Sequence, residues 1–230
     1  MSRVFIVGGS GKIAKRLAVL LVERGHDVRA MHRKPEQAEI LAKLGATPVS
    51  GDLLELDAAT LSRLMDGSDT VIFSAGSGGK GGPEMTNAID GRGLELSVAA
   101  AQVAGIHRFL LVSAFPEAAR GKKVSDTFEN YMAVKKHADI HLAESDLDWV
   151  ILRPGTLVDD AGNGMVRAGL AIPYGDVSRD DVAATLAELV EQPDVNRTII
   201  ELTAGSTPVD EAVGKLARDR IGSSVKNTSR

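Results

Sequence analysis

Short apolar runs alternate with longer helical patterns along most of the chain, and that alternation leaves few folds open. "VFIVG" (4–8) is a continuous apolar run of strand length. "KIAKRLAVLLVERG" (12–25) follows, with apolar residues at helical spacing and Gly25 as its stop. The pairing recurs: a strand at 27–33, a helix at 34–45 entered through Pro35, a strand at 47–53, a helix at 57–67 capped by Asp57, and a strand at 69–76. A glycine-rich loop, "GSGGKGGP" (76–83), leads into a long helix reaching about residue 105. Strands follow at 107–114 and 147–155 with a helix around Tyr131 between them, and a last strand (197–205) precedes a terminal helix (208–220). Parallel neighbours need crossover connections, so the pattern predicts a doubly wound α/β fold: a mostly parallel sheet with helices on both faces, in a single domain.

Composition narrows the function. A chain of 230 residues can bury a full core as one domain. Lys and Arg number 27 against 31 Asp and Glu, a balance that argues against a nucleic-acid binder, whose footprint is basic. No cysteine is present, which removes disulfides, thiol catalysis and Cys-ligated metals. The start "MSRVFIVGG" enters a strand at once and does not read as a signal peptide, and no apolar run reaches the roughly 18 residues of a membrane span. The expectation is a cytoplasmic protein with a small-molecule partner, bound to neither nucleic acid nor membrane. Nothing in the sequence sets an oligomeric state.

"VFIVGGSGKIAKRLA" places Gly8, Gly11 and Ala14 at three-residue spacing directly after the first strand. Glycines there permit a tight turn and close approach of backbone to a pyrophosphate, while the following helix aims its amides and positive dipole end at the anion. Gly8, Ser10, Gly11, Lys12 and Ile13 are the candidate phosphate-holding residues. A site that prefers NAD ends its second strand with an acid for the ribose 2'-hydroxyl, but here "AMHRKP" supplies Arg33 and Lys34. A guanidinium matches a 2'-phosphate in charge and geometry, so the expected cofactor is NADP rather than NAD. The alternative for both is a pair of surface charges at a strand exit. After the third strand, Asp52 and Leu53 are candidates for the adenine edge and ring, with a turn role open to Asp52. Ala75 and Gly76, at the end of the fourth strand, are candidates for cofactor contact. Gly78 to Gly82 either approach the cofactor or leave the loop mobile.

The pieces "GGSGKIA", "VRAMHR", "GDL", "DTVIFSAGSGGKGG", "LLVSA", "YMAVKKHAD" and "LDWVILRPG" occur in this order between residues 4 and 155. In that combination the chain resembles a short-chain dehydrogenase/reductase, most closely the small atypical, NAD(P)-binding or epimerase-like branch. The resemblance implies a Rossmann-like domain over residues 1–222, with a small substrate-side segment at about 156–176 and a disordered polar tail at 223–230. It also implies a catalytic set of Ser113, Tyr131 and Lys135. Residues four apart share a helix face, and a lysine there is expected to draw the tyrosine pKa down from about 10. The phenol then exchanges a proton with a substrate oxygen while hydride moves to or from the nicotinamide. Lys135 also holds the ribose, Ser113 meets the substrate oxygen, and Pro154 and Gly155 shape a turn beside the nicotinamide.

The segment between Ser113 and Tyr131 is longer than in compact members of the family, and either folds over the site or carries Ser113 out of register. Arg153 has a structural alternative. His137 and His141 lack a third ligand, so no metal is assigned, and Met85, Met132 and Met165 read as packing. The expected function is an NADP-dependent oxidoreductase acting on a small carbonyl or hydroxyl compound. Its rivals are an NADP(H)-sensing regulator, a flavin- or biliverdin-type reductase, and an NAD(P)-dependent epimerase or dehydratase.

Overall fold

The computed structural model describes residues 1–116, 118–119 and 121–226, with side chains as far as residue 218. β1 (Arg3–Val7) feeds α1 (Lys12–Glu23), followed by β2 (Asp27–His32), α2 (Glu36–Lys43), β3 (Thr47–Ser50), α3 (Ala58–Met65) and β4 (Thr70–Phe73). Next come α4 (Gly82–Thr86), a π-helical turn (Asn87–Arg92), α5 (Gly93–Val103), β5 (Arg108–Val112), α6 (Asp126–Ala143) and β6 (Asp148–Pro154). The chain continues through β7 (Thr156–Val158), β8 (Met165–Gly169), β9 (Asp176–Ser178), α7 (Arg179–Glu191), β10 (Thr198–Ala204), β11 (Thr207–Pro208) and α8 (Val209–Lys226).

Nine strands form one sheet in the order β11-β8-β10-β6-β5-β4-β1-β2-β3. It is parallel from β3 through β10, and β8 runs antiparallel to β10 and β11. β7 and β9 pair separately. Every residue from Val4 to Val7 is fully buried because β1 is covered on both faces. Val4 and Ile6 pack with Leu17 and Leu21 of α1, and Phe5 and Val7 with Leu94 of α5 and Phe109 of β5. The helix starts follow side-chain chemistry. Asp57 accepts from Thr60 N at 2.7 Å ahead of α3, and Ser125 and Ser178 cap α6 and α7.

The expected long helix after residue 83 runs without a gap from Gly82 to Val103, and a π-helical turn within it takes a wider loop and turns Asp90 into the protein. The segment expected at about 156–176 holds β7 and β8, with β9 and α7 after it, elements whose short strands leave little periodic signal in the sequence. The terminal helix does not stop at residue 220 but runs to Lys226, since each added residue gains a hydrogen bond even in a polar stretch. The rest of the expected tail, 227–230, lies outside the described residues.

Candidate active site

Gly8 turns the chain out of β1 with φ of +81°, and a Cβ there would lie 2.6 Å from the Ala75 Cα. Two backbone segments, one after β1 and one after β4, therefore touch at a point only glycine allows. Gly11 N donates to the Gly8 carbonyl at 2.9 Å, closing the turn, and Gly11 stands before α1 with no side-chain cap. The first amides of α1 have no partner within the helix. Ser10 Oγ is buried beside them without a hydrogen-bond partner. Free amides, a helix N-terminus and an orphaned hydroxyl are the chemistry that a dinucleotide pyrophosphate fits. Ile13 is buried in the core, so it offers only its amide. Lys12 sends its ammonium to Asp159 at 2.5 Å, away from the turn.

At the end of β2 the Arg33 side chain is half exposed, with Nε 3.9 Å from Asp52 Oδ2. Asp52 also accepts from Leu54 N at 3.0 Å, which makes it a turn residue as well as a neighbour of Arg33. Leu53 packs toward Gly93 at the start of α5. Gly76 stands against the Asp90 carboxylate, which accepts from Ser77 N at 2.9 Å.

The centre of the site joins α6 to the ends of β5 and β6. Ser113 N donates to the Leu152 carbonyl at 2.7 Å, so Ser113 extends the β5 ladder in register despite the long segment that follows. Its hydroxyl donates to Asp139 Oδ1 at 2.5 Å. Arg153 donates to Asp139 Oδ2 through Nε and Nη2, each at 2.8 Å. Lys135 is buried and donates to the Val112 carbonyl at 2.9 Å. Tyr131, Lys135 and Asp139 follow one another at four-residue steps along one face of α6. Sequence reasoning missed Asp139 and Asp90. The available signal for Asp139 was its place one further turn along the Tyr131–Lys135 face.

Electrostatics correct one expectation. Burial, then the charges of Asp90 and Asp139, push the Tyr131 phenol up to about 12. Lys135 does not pull it down, because its ammonium points to Val112 and burial lowers its own pKa against the pull of Asp90 and Asp139. Burial raises both Asp90 and Asp139, opposed by Lys135 and Ser77 at the first and chiefly by Ser113 and Arg153 at the second. The phenol is therefore held protonated.

Pro154 ends β6 opposite Leu202, and Gly155 N donates to the Leu202 carbonyl at 2.9 Å. A Cβ at Gly155 would run into the Gly175 carbonyl oxygen, so packing against the residue before β9 demands glycine there. A separate cleft of about 700 Å³, lined by His26, Asp69, Arg108 and Glu191, lies at the amino ends of the strands. Ligands of open α/β sheets bind outside the carboxyl ends of the strands, where the glycine turn and Ser113 lie, so that cleft is not the candidate.

The model of a family described as NAD(P)H-binding matches residues 8–193. The Bacillus subtilis (strain 168) protein named Uncharacterized sugar epimerase YhfK is 37% identical over 215 residues, covering 93% of this chain and 100% of that one. A solved Bacillus halodurans structure, whose name proposes an NAD-dependent epimerase/dehydratase, superposes with a TM-score of 0.86 at 32% identity. It covers 94% of this chain and 100% of its own. ChuY, named as an anaerobilin reductase of Escherichia coli O157:H7, gives 0.71 at 26% identity over 88% of this chain and 97% of its own. A glycine turn that a pyrophosphate fits, a doubly wound sheet and epimerase-named relatives matched along nearly the whole length agree: the chain belongs to the NAD(P)H-binding family.

Proposed function

We propose that the protein is an NADP-dependent oxidoreductase that reduces a small carbonyl compound, with Tyr131 as the general acid. The observation that carries this reading is the pair of hydrogen bonds, Ser113 to Asp139 and Lys135 to the Val112 carbonyl, that fastens the end of β5 to the α6 face that also bears Tyr131. When bound, the nicotinamide supplies hydride. Tyr131, held protonated, gives its proton to the substrate oxygen. Lys135 and the Asp139–Arg153 pair fix the helix and Ser113 around it, and Lys135 has two further ammonium hydrogens to offer a ribose hydroxyl. Ser113 meets the substrate oxygen.

The free amides of Lys12 and Ile13, the Gly8–Gly11 turn and Ser10 hold the pyrophosphate, while Arg33, steadied by Asp52, meets the 2'-phosphate. Ala75, Gly76, Leu53, Pro154 and Gly155 form the walls around the cofactor. The names of two relatives favour a second reading, an NAD(P)-dependent epimerase or dehydratase. The two differ in their balance: an oxidoreductase consumes NADPH, and an epimerase regenerates its bound cofactor each cycle. Absorbance of NADPH is followed with a panel of aldehydes, ketones, quinones and flavins. Stoichiometric NADPH loss with a carbonyl substrate supports the proposal. A tightly retained cofactor with no net consumption on any of them favours the second reading.

A further inference from the structure

A cleft of about 680 Å³ lies between Phe115, two residues beyond Ser113, and the loop that joins β8 to β9. Its wall is apolar and aromatic. Phe115 meets Tyr174 edge to face with ring centroids 5.2 Å apart, and Pro116, Ile172 and Pro173 flank them. The loop is pinned at three places. Ile172 N donates to Glu201 Oε2 at 2.8 Å, the Tyr174 and Thr156 hydroxyls share a 2.6 Å hydrogen bond, and Thr156 N donates to the Gly175 carbonyl at 3.0 Å.

Glu201 is the one charged group among the described residues lining this cleft. It stands directly across from Arg153 in the β10–β6 register, and Ser113 continues β5 on the far side of β6. Ser113 and Glu201 are thus two strand spacings apart, about 10 Å. Arg153 spends its hydrogen bonds on Asp139, and among the described residues no ion pair reaches the buried Glu201. The described hydrogen bond to Glu201 comes from a backbone amide alone. A buried carboxylate short of a cation is costly, and a ligand cation offsets that cost. Aromatic faces beside it favour the same charge.

We infer that this cleft is the substrate subsite, and that it selects a flat, mainly apolar carbonyl compound bearing a cationic nitrogen group at the end remote from the carbonyl. Glu201 is the counter-charge and Phe115 and Tyr174 are the aromatic wall. An anionic group at that end is repelled. The position of the carbonyl rests on the proposed oxidoreductase reading, whereas the charge preference does not.

Benzamidinium, benzamide and benzoate are planar rings of similar size and different charge, and their binding is measured by ligand-observed NMR at low salt. Wild-type protein is expected to bind benzamidinium about tenfold more tightly than benzoate. Glu201→Gln keeps an oxygen for Ile172 N, and should bring the two within about twofold. Tyr174→Ala should weaken both probes without reversing their order. Should Glu201→Gln fail to fold, the wild-type preference must still shrink as salt rises. Equal binding of cation and anion, a preference that Glu201→Gln or salt leaves untouched, or no binding of any probe overturns the inference. Binding needs no hydride transfer, so a cation preference without NADPH turnover leaves the subsite standing and sinks the oxidoreductase reading. A working reductase with no cation preference does the reverse.

Discussion

The Ser113 hydroxyl is held by Asp139 at 2.5 Å, a bond that ties the end of β5 to the middle of α6. Arg153 holds the other Asp139 oxygen from β6, so three elements meet at one buried carboxylate. On the proposed mechanism Asp139 and Arg153 act through Ser113, as positioning residues. Removing one partner leaves the other buried and unpaired. Asp139→Ala is expected to lower unfolding stability by about 3–5 kcal/mol, and Asp139→Ala with Arg153→Ala to cost less than the sum of the single changes. Urea unfolding of the four proteins measures the coupling. Strict additivity would mean that the pair is not a unit.

Arg33 lies 3.9 Å from Asp52 with half its side chain in solvent, and the proposed function assigns it the 2'-phosphate. NADPH is expected to bind at least about tenfold more tightly than NADH, or about 1.4 kcal/mol. Arg33→Ala should remove that preference with little effect on NADH. Fluorescence titration with both cofactors decides it, and equal affinities for wild type would overturn the assignment.

With its phenol pushed up to about 12, Tyr131 stays protonated through neutral and moderately alkaline solution, and is lost as an acid only as pH rises toward that value. For carbonyl reduction, kcat/KM should therefore show no fall assignable to Tyr131 between about pH 7 and about pH 10. A decline with an apparent pKa near ~8 that moves with substitutions at Lys135 would mean that the lysine lowers the phenol after all.

Arg108, at the start of β5, reaches the end of α7. Its Nη1 donates to the Val195 carbonyl at 2.7 Å and its Nη2 to the Leu189 carbonyl at 2.8 Å, both buried. Arg108→Met leaves these acceptors without their charged donor, and is expected to cost about 3 kcal/mol by denaturant unfolding. A change below about 0.5 kcal/mol would show that solvent replaces the guanidinium freely.

The sheet was legible because β1, β4, β5 and β6 are buried on both faces and must read as unbroken apolar runs. The glycine turn was legible because Gly8 faces a steric demand that no other residue meets. Residues 156–196 were not. β7 and β9 span three residues each, too short for any period to show, and α7 has buried polar residues such as Asp181 and Thr185 that blur its stripe. At the site, Tyr131 and Lys135 stand out in the sequence by their four-residue spacing, and Ser113 enters through the family resemblance. Asp139 and Arg153 meet only through the packing of α6 on β6, and the π-helical turn that buries Asp90 has no period of its own. The direction of the Tyr131 shift was misread because burial, then the charges of Asp90 and Asp139, raises the phenol, while the Lys135 ammonium is turned to the Val112 carbonyl.

In the proposed reaction Tyr131 donates the proton of an NADPH-dependent reduction. Its most direct test compares wild type with Tyr131→Phe on a carbonyl substrate that wild type reduces, following NADPH absorbance, with cofactor affinity measured in parallel. Tyr131→Phe should bind NADPH nearly as well as wild type while kcat falls by about 10²–10⁴, the range for losing a positioned general acid. Full activity of Tyr131→Phe on every substrate that wild type reduces would contradict the account.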